Sequence, residues 1–128
     1  MKITTFNPQI ITNHLEEVTG LFEALGFEYR HTPSGTGASG NAYTDCRMKD
    51  ANGFYVDVAV TTAQFPKDVT GIRMNVDDFD AAYQLLTDRG FKPSNGNPPT
   101  ETDSSRGLLM KSPSGFAIVL VKHIKKEN

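Results

Sequence analysis

The chain has no tryptophan, one cysteine, three histidines and no long apolar run. Each shortage excludes something. A single thiol, Cys46, cannot build an internal disulfide framework, and it fits a reducing compartment. Without Trp there is no large stacking platform, so any such role falls to Phe or Tyr. The longest apolar run, "FAIVLV" at 116–121, is too short to span a membrane, and the opening "MKITTFNPQIITNHLEE" lacks the continuous apolar core of a signal peptide. A formal net charge of only -2 offers no global field to recruit nucleic acid or a lipid surface, and the closing "KHIKKEN" reads as a short solvated tail. What remains is 128 residues with 38% apolar and 22% charged side chains, which is a single-domain composition. The expectation is one soluble, cytoplasmic domain over 1–128 with no nucleic-acid and no membrane partner.

What is present in quantity is repetition. "MKDANGFYVDVAV" at 48–60 returns as "MKSPSGFAIVLVK" at 110–122, so that Met48, Lys49, Gly53 and Phe54 recur as Met110, Lys111, Gly115 and Phe116. "DANG" and "SPSG" each place Asp or Ser first and Gly fourth, the chemistry of a type I turn closed by a left-handed residue, so each copy predicts a hairpin. The repeat extends backwards. Asn13-x-x-Glu16 has the form of a capping box ahead of Leu15, Val18, Leu21, Phe22 and Leu25, which keep helical spacing up to Gly26-Phe27. In the second half Asp78 can cap a helix carrying Phe79, Ala82, Tyr83, Leu85 and Leu86, which stops at Gly90-Phe91. A short strand pattern precedes each helix, "KITTFNPQII" and "GIRMNV". The reading is β-α-β-β-β twice, module one over 1–64 and module two over 67–124, joined through "AQFPKD".

Strand alternation assigns the faces. Phe54, Val56, Val58 and Val60 share one side, as do Phe116, Ile118 and Leu120, and these sides should cover the helices. The opposite sides carry Tyr55, Asp57 and Ala59 in one half and Ala117, Val119 and Val121 in the other. An apolar strand face turned away from its helix requires another cover: the other half, a partner chain or a ligand.

This order of elements, with the "VDDFDAAYQLLTDRGF" helix and the "SPSGFAIVLV" hairpin, resembles the vicinal oxygen chelate superfamily, which includes glyoxalase I, extradiol dioxygenases, fosfomycin-resistance enzymes and bleomycin-resistance proteins. The similarity covers nearly the whole chain and is strongest from Gly71 to Val121. It implies an α+β fold, two βαβββ modules forming curved mixed sheets around a cleft, and homodimerisation. It also implies where a divalent metal would be held in metal-dependent members: one ligand in the first strand and one in the last strand of each module. Carried over, those positions are Phe6, Asp57, Gly71 and Val119. Asp57 alone offers a donor, one carbon shorter than the family's usual Glu, whereas a protein-held transition metal needs about three side-chain ligands. The resemblance therefore implies a member without the metal site and without a cofactor.

Six residues form the candidate ligand-binding set: Asp57, Tyr55, Arg73, Phe6, Val119 and Ala117. Asp57 could act as a desolvated base or contact a cationic ligand, or it could be a rim carboxylate paired with Arg73 or Arg47. Arg73 could hold an anionic ligand from the second module, or simply be exposed. Tyr55 is either cleft lining or packing. A binder should tolerate Asp57→Ala in folding while changing which ligands stabilise it.

Other motifs carry less. "GTGASG" at 35–40 satisfies G-x-G-x-x-G, but "NAYTDCRM" follows with strand alternation, and without a helix N-terminus it is no phosphate cradle. It and "PSNGNPPTETDSS" read as polar loops bordering the cleft. His14 falls at a helix start, and nothing in the spacing of His31 and His123 brings them to Asp57. Cys46 sits among alternating residues as a buried, inert thiol, so no catalytic residue is assigned. The reading that follows is metal-independent binding of a small organic ligand in the inter-module cleft. The alternatives are a divalent-metal-dependent lyase or dioxygenase of the same superfamily, and a protein-interaction module.

Overall fold

The computed structural model describes residues 1–31, 34–36, 42–61, 64, 66–94, 100–101 and 105–123. Strand β1 (Ile3–Thr12) leads into helix α1 (Leu15–Ala24), then β2 (Glu28–His31), β3 (Ser34–Thr36), β4 (Ala42–Lys49) and β5 (Tyr55–Thr61). The second half repeats the order with β6 (Val69–Val76), α2 (Phe79–Asp88), β7 (Lys92–Pro93), β8 (Thr100–Glu101), β9 (Ser105–Lys111) and β10 (Ala117–His123). The duplicated stretch at 48–60 and 110–122 is the β4-β5 hairpin and its counterpart β9-β10, as the repeat predicts. The short strands β3 and β8 are additional and pair with β4 and β9.

Local chemistry accounts for the boundaries. Asp78 caps α2, its side chain accepting from Ala81 N–H at 3.0 Å. The capping box at Asn13 is not what starts α1: the N-cap position belongs to His14, one residue on, and His14 makes no side-chain capping bond. Both helices end in the same way. Gly26 and Gly90 adopt φ of 102° and 90°, and the next residue bonds back five positions, Phe27 N–H to Phe22 O at 2.9 Å and Phe91 N–H to Leu86 O at 3.0 Å. This closes the last turn, a geometry that glycine adopts without a Cβ penalty. In the hairpin turns Asp50 Oδ1 accepts from the N–H of Asn52 and Phe54, and Ser112 Oγ accepts from that of Gly115 and Phe116. Asp and Ser thus serve one role in the two copies.

All strands join one sheet, in the order β2-β4-β5-β1-β6-β10-β9-β7. The halves meet at β1 and β6, which run antiparallel with Pro8 opposite Ile72, while β1 pairs parallel with β5 and β6 parallel with β10. The arrangement is close to two-fold about the Pro8–Ile72 pair. Both helices cover the same face. Under α1, Leu15, Val18 and Phe22 pack with Phe27 on Cys46, Met48, Val56 and Val58. Under α2, Phe79, Ala82 and Leu86 pack on Met74, Val76, Leu108, Met110, Ile118 and Leu120. Cys46 is therefore a buried core thiol. Among the described residues no helix is long and apolar enough to cross a membrane.

Candidate functional site

The sheet face without helices carries polar residues in its middle strands. Because side chains alternate, placing Val56 and Val58 under α1 turns Asp57 the other way, and Cys46 and Met48 do the same for Asp45 and Arg47. Next to Asp57, β1 presents Asn7 and Gln9, and β6 presents Arg73 and Asn75. These strands come from both halves. In a flat sheet β4 and β6 would stand about 14 Å apart, three strand spacings, beyond the reach of an Asp and an Arg side chain. Yet Arg73 Nη1 donates to Asp45 Oδ2 at 2.8 Å, so the sheet curves towards this face.

The result is a buried polar network. Asp57 is 0% exposed, and Asn7, Gln9, Asp45, Arg73 and Asn75 are buried around it. Asp57 Oδ2 accepts from Asn7 Nδ2 at 2.9 Å and lies 3.5 Å from Arg73 Nε and 4.0 Å from Arg47 Nη1. Arg73 Nε also donates to Asn75 Oδ1 at 3.1 Å. Arg47 donates to Asn7 Oδ1 at 3.4 Å, and its guanidinium lies 4.4 Å from the centre of the Tyr55 ring. Two carboxyls and two guanidiniums thus share one enclosed region. Burial, and then the negative charge of Asp57, push the Asp45 carboxyl up from 3.8 to about 7, with Arg73 pulling the other way. Burial and the neighbouring Asp57 carboxylate thus both favour a proton on Asp45. Gln9 Oε1, Asp45 Oδ1 and Asp57 Oδ1 find no hydrogen-bond donor, and Asn75 Nδ2 no acceptor, among the described residues. Buried polar atoms left in that state require a proton, a water or a ligand group.

Five of the six residues singled out in the sequence lie on this face. Asp57 and Arg73 are in direct contact, Tyr55 lies beneath Arg47, and Val119 and Ala117 stand on β10 opposite Arg73 and Gly71. Phe6 does not join them. It points to the helix side, 63% exposed, and lines a hollow with Phe22 and Phe27. A strand read one residue out of step turns the wrong side chain inwards, and Asn7 and Gln9 take the position expected of Phe6. Asp57 is wholly buried, so Asp57→Ala is expected to cost stability by leaving Asn7 without its acceptor and Arg73 with Asp45 alone. Asn7, Gln9, Asp45 and Asn75 are additions, and each alternates with core residues in its own strand. His14 is exposed at the start of α1. His31 and His123 end β2 and β10, and their side chains lie outside the described residues, as do 37–41 of the Gly-rich loop and most of the second polar loop.

The donor set does not fit the family's metal. The first-strand positions facing inwards are Asn7 and Gln9 in one half and Gly71 and Arg73 in the other, with Asp57 and Val119 on the last strands. Arg73 offers no lone pair and its charge repels a cation. A side chain at Gly71 would begin 3.1 Å from Ala117 O, so a larger residue there requires β10 to give by a few tenths of an ångström. Among the described residues no group of three His, Cys, Asp or Glu side chains is placed to hold a metal.

No protein-family model and no curated protein sequence matches the chain. Solved structures do. Methylmalonyl-CoA epimerase from Mycobacterium tuberculosis superimposes with a TM-score of 0.66 at 14% identity, over 96% of this chain and 90% of that one. The Streptomyces coelicolor methylmalonyl-CoA epimerase bound to 2-nitronate-propionyl-CoA gives 0.61 at 17% identity, over 97% and 100%. A hypothetical protein of Bacillus halodurans C-125 gives 0.67 at 8% identity, over 100% and 99%. The fold is that of the vicinal oxygen chelate superfamily, and at these identities the likeness concerns the fold alone.

Proposed function

We propose that the protein binds a small organic ligand on the helix-free face, between the walls of its two halves, without a metal and without breaking bonds. The observation that carries this reading is the placement of Arg73 between Asp45 and Asp57. A protein cation stands among the carboxylates, so no metal is needed to balance them, and buried acceptors remain for a ligand or a water. Half-buried Arg47, Tyr55 and Val119 give the face an accessible edge, with Ala117, Asp57 and Arg73 behind it. The lyase or dioxygenase reading needs a metal that this donor set does not hold. A second reading, proton transfer of the general kind an epimerase performs, draws support from Asp45, whose carboxyl exchanges its proton near neutrality.

One experiment addresses these readings together. Metal content is measured on purified protein, after dialysis against chelator, and after offering zinc, nickel, manganese and iron(II). A thermal-shift screen of small organic compounds follows, and each stabilising compound is recovered and analysed. The expected result is no stoichiometric metal, a compound that raises the melting temperature, and its recovery unchanged. One metal per chain that resists dialysis overturns the metal-independent reading, and recovery of an altered compound replaces sequestration by catalysis.

A further inference from the structure

The two halves of the chain differ in charge at one equivalent pair of positions. In the first half β2 pairs with β4 so that Glu28 stands opposite Lys49, unlike charges on neighbouring strands. In the second half Gly90-Phe91 repeats Gly26-Phe27 and Lys111 repeats Lys49, but the residue after Phe91 is Lys92. β7 then pairs with β9 so that Lys92 stands opposite Lys111. Like charges directly opposite on paired strands weaken the pairing. Neither ammonium has an ion-pair or hydrogen-bond partner among the described residues. An edge strand carries lysine to repel a further strand, but that purpose does not call for a second lysine against it.

The two lysines line a hollow of about 390 Å³ together with Pro93, Ser94, Ser112 and Pro113, and no acidic residue lines it. Its walls are stiff. The prolines have a fixed φ, and Pro113 is seated so closely on Gly90 that a Cβ there would come within 2.8 Å of Pro113 Cγ. Its hydroxyls can donate. Ser112, 7% exposed, accepts from the N–H of Gly115 and Phe116, so its own proton remains to be given. Ser114 Oγ at 3.2 Å is one acceptor for it, and an anion in the hollow is another. The exposed Ser94 hydroxyl has no partner among the described residues. We propose that this hollow binds a phosphomonoester of a small molecule, with its phosphoryl group between Lys92 and Lys111. A phosphoryl group carries a charge of about -1.5 to -2 at neutral pH and three acceptor oxygens, which answers two ammoniums and the serine hydroxyls together. A carboxylate brings one charge for two lysines. The volume falls in the range of roughly 300–1,000 Å³ that small-molecule sites occupy, so the organic part also has room. The hollow shares no residue with the Asp45, Asp57 and Arg73 cluster, and the proposal does not depend on what the helix-free face binds.

The test is calorimetric titration of the full chain with inorganic phosphate, set against sodium chloride of matched ionic strength, with amide nuclear magnetic resonance to locate the contact. Phosphate is expected to bind saturably and to shift the resonances of Lys92, Ser94, Lys111 and Ser112, and chloride is not. Lys92→Glu recreates the Glu28–Lys49 pairing of the first half and is expected to raise the phosphate dissociation constant at least ~10-fold. Lys92 is exposed, so the variant should keep its far-UV circular dichroism. Should it unfold, Lys111→Gln is the second probe, and it too should weaken phosphate binding. The proposal is overturned if phosphate does not bind saturably or if chloride produces the same shifts. It is equally overturned if phosphate binds without moving those four resonances, or with an affinity that both variants leave intact, since the anion then sits elsewhere.

Discussion

Asp45 holds its proton into the neutral range, and the effect on stability has a definite sign. Its carboxyl is raised from 3.8 to about 7 in the folded chain, by burial first and by Asp57 second. Between those values the folded state keeps a proton that the unfolded chain releases. The stabilisation is therefore fully present below about pH 4 and is lost as the pH rises to about 7. At roughly 1.4 kcal/mol per pH unit the loss is on the order of 4 kcal/mol at most, reduced by whatever part Asp57 shares. Asp45→Asn keeps the shape and an acceptor for Arg73 but cannot titrate. Urea unfolding of both proteins from pH 4.5 to 8 should show the wild type losing ground to the variant up to about pH 7 and no further. Parallel curves would falsify the assignment. The sequence shows how much of this site was readable residue by residue. In "TFNPQII" the polar Asn7 and Gln9 already alternate with Phe6, Pro8 and Ile10, so the two faces of β1 were legible. The anchor was not. Counting back from a helix entry at Asn13, when the N-cap is His14, moves the strand by one residue and exchanges its faces.

At the scale of elements, near-identical modules differ in how their helices begin. α2 has Asp78 accepting from Ala81, with Asp80 in its first turn, whereas α1 starts at His14 without a side-chain cap. Asp78→Ala should cost about 1 kcal/mol, and His14→Asp should stabilise by a similar or smaller amount, since Asp satisfies an orphan N–H and complements the helix dipole. For a chain of this size each change moves the melting temperature by about 3–5 °C, in opposite directions, measurable by calorimetry. A fall in both variants would mean that His14 has a role the cap geometry does not reveal. Helix ends and hairpins were the best-specified parts of the sequence, because their chemistry is local. Gly26 and Gly90 stop the helices, and Asp50 and Ser112 close the turns, with partners no more than five residues away. The exposed Leu21 and Leu25 were not distinguishable from Leu15, Val18 and Phe22 by spacing alone. Burial on α1 depends on where the sheet lies.

Over the whole molecule, Arg73 belongs to one half and both its carboxylate partners to the other, so the network fastens the curve of the sheet. No local pattern could show this, because β4 and β6 are three strands apart and meet only through curvature. The consequence separates a structural role from a functional one. Arg73→Met leaves Asp45 and Asp57 facing each other with Arg47 alone at 4.0 Å, and breaking a buried pair in this way costs about 3–5 kcal/mol. The deficit should be largest at pH 8 and shrink towards pH 5, where the Asp45 carboxyl accepts its proton. Replacing the whole cluster, by Arg73→Met with Asp45→Leu and Asp57→Leu, should recover most of that loss, since apolar side chains of similar volume carry no desolvation penalty. Chemical unfolding of the single and triple variants at both pH values measures the difference. A triple variant as stable as the wild type would mean that folding does not require the charges, and any compound that stabilises only the wild type then reports what they hold. If the triple variant is as damaged as Arg73→Met, the cluster is a fastening of the two halves, and the ligand is to be sought at the edge formed by Arg47, Tyr55 and Val119.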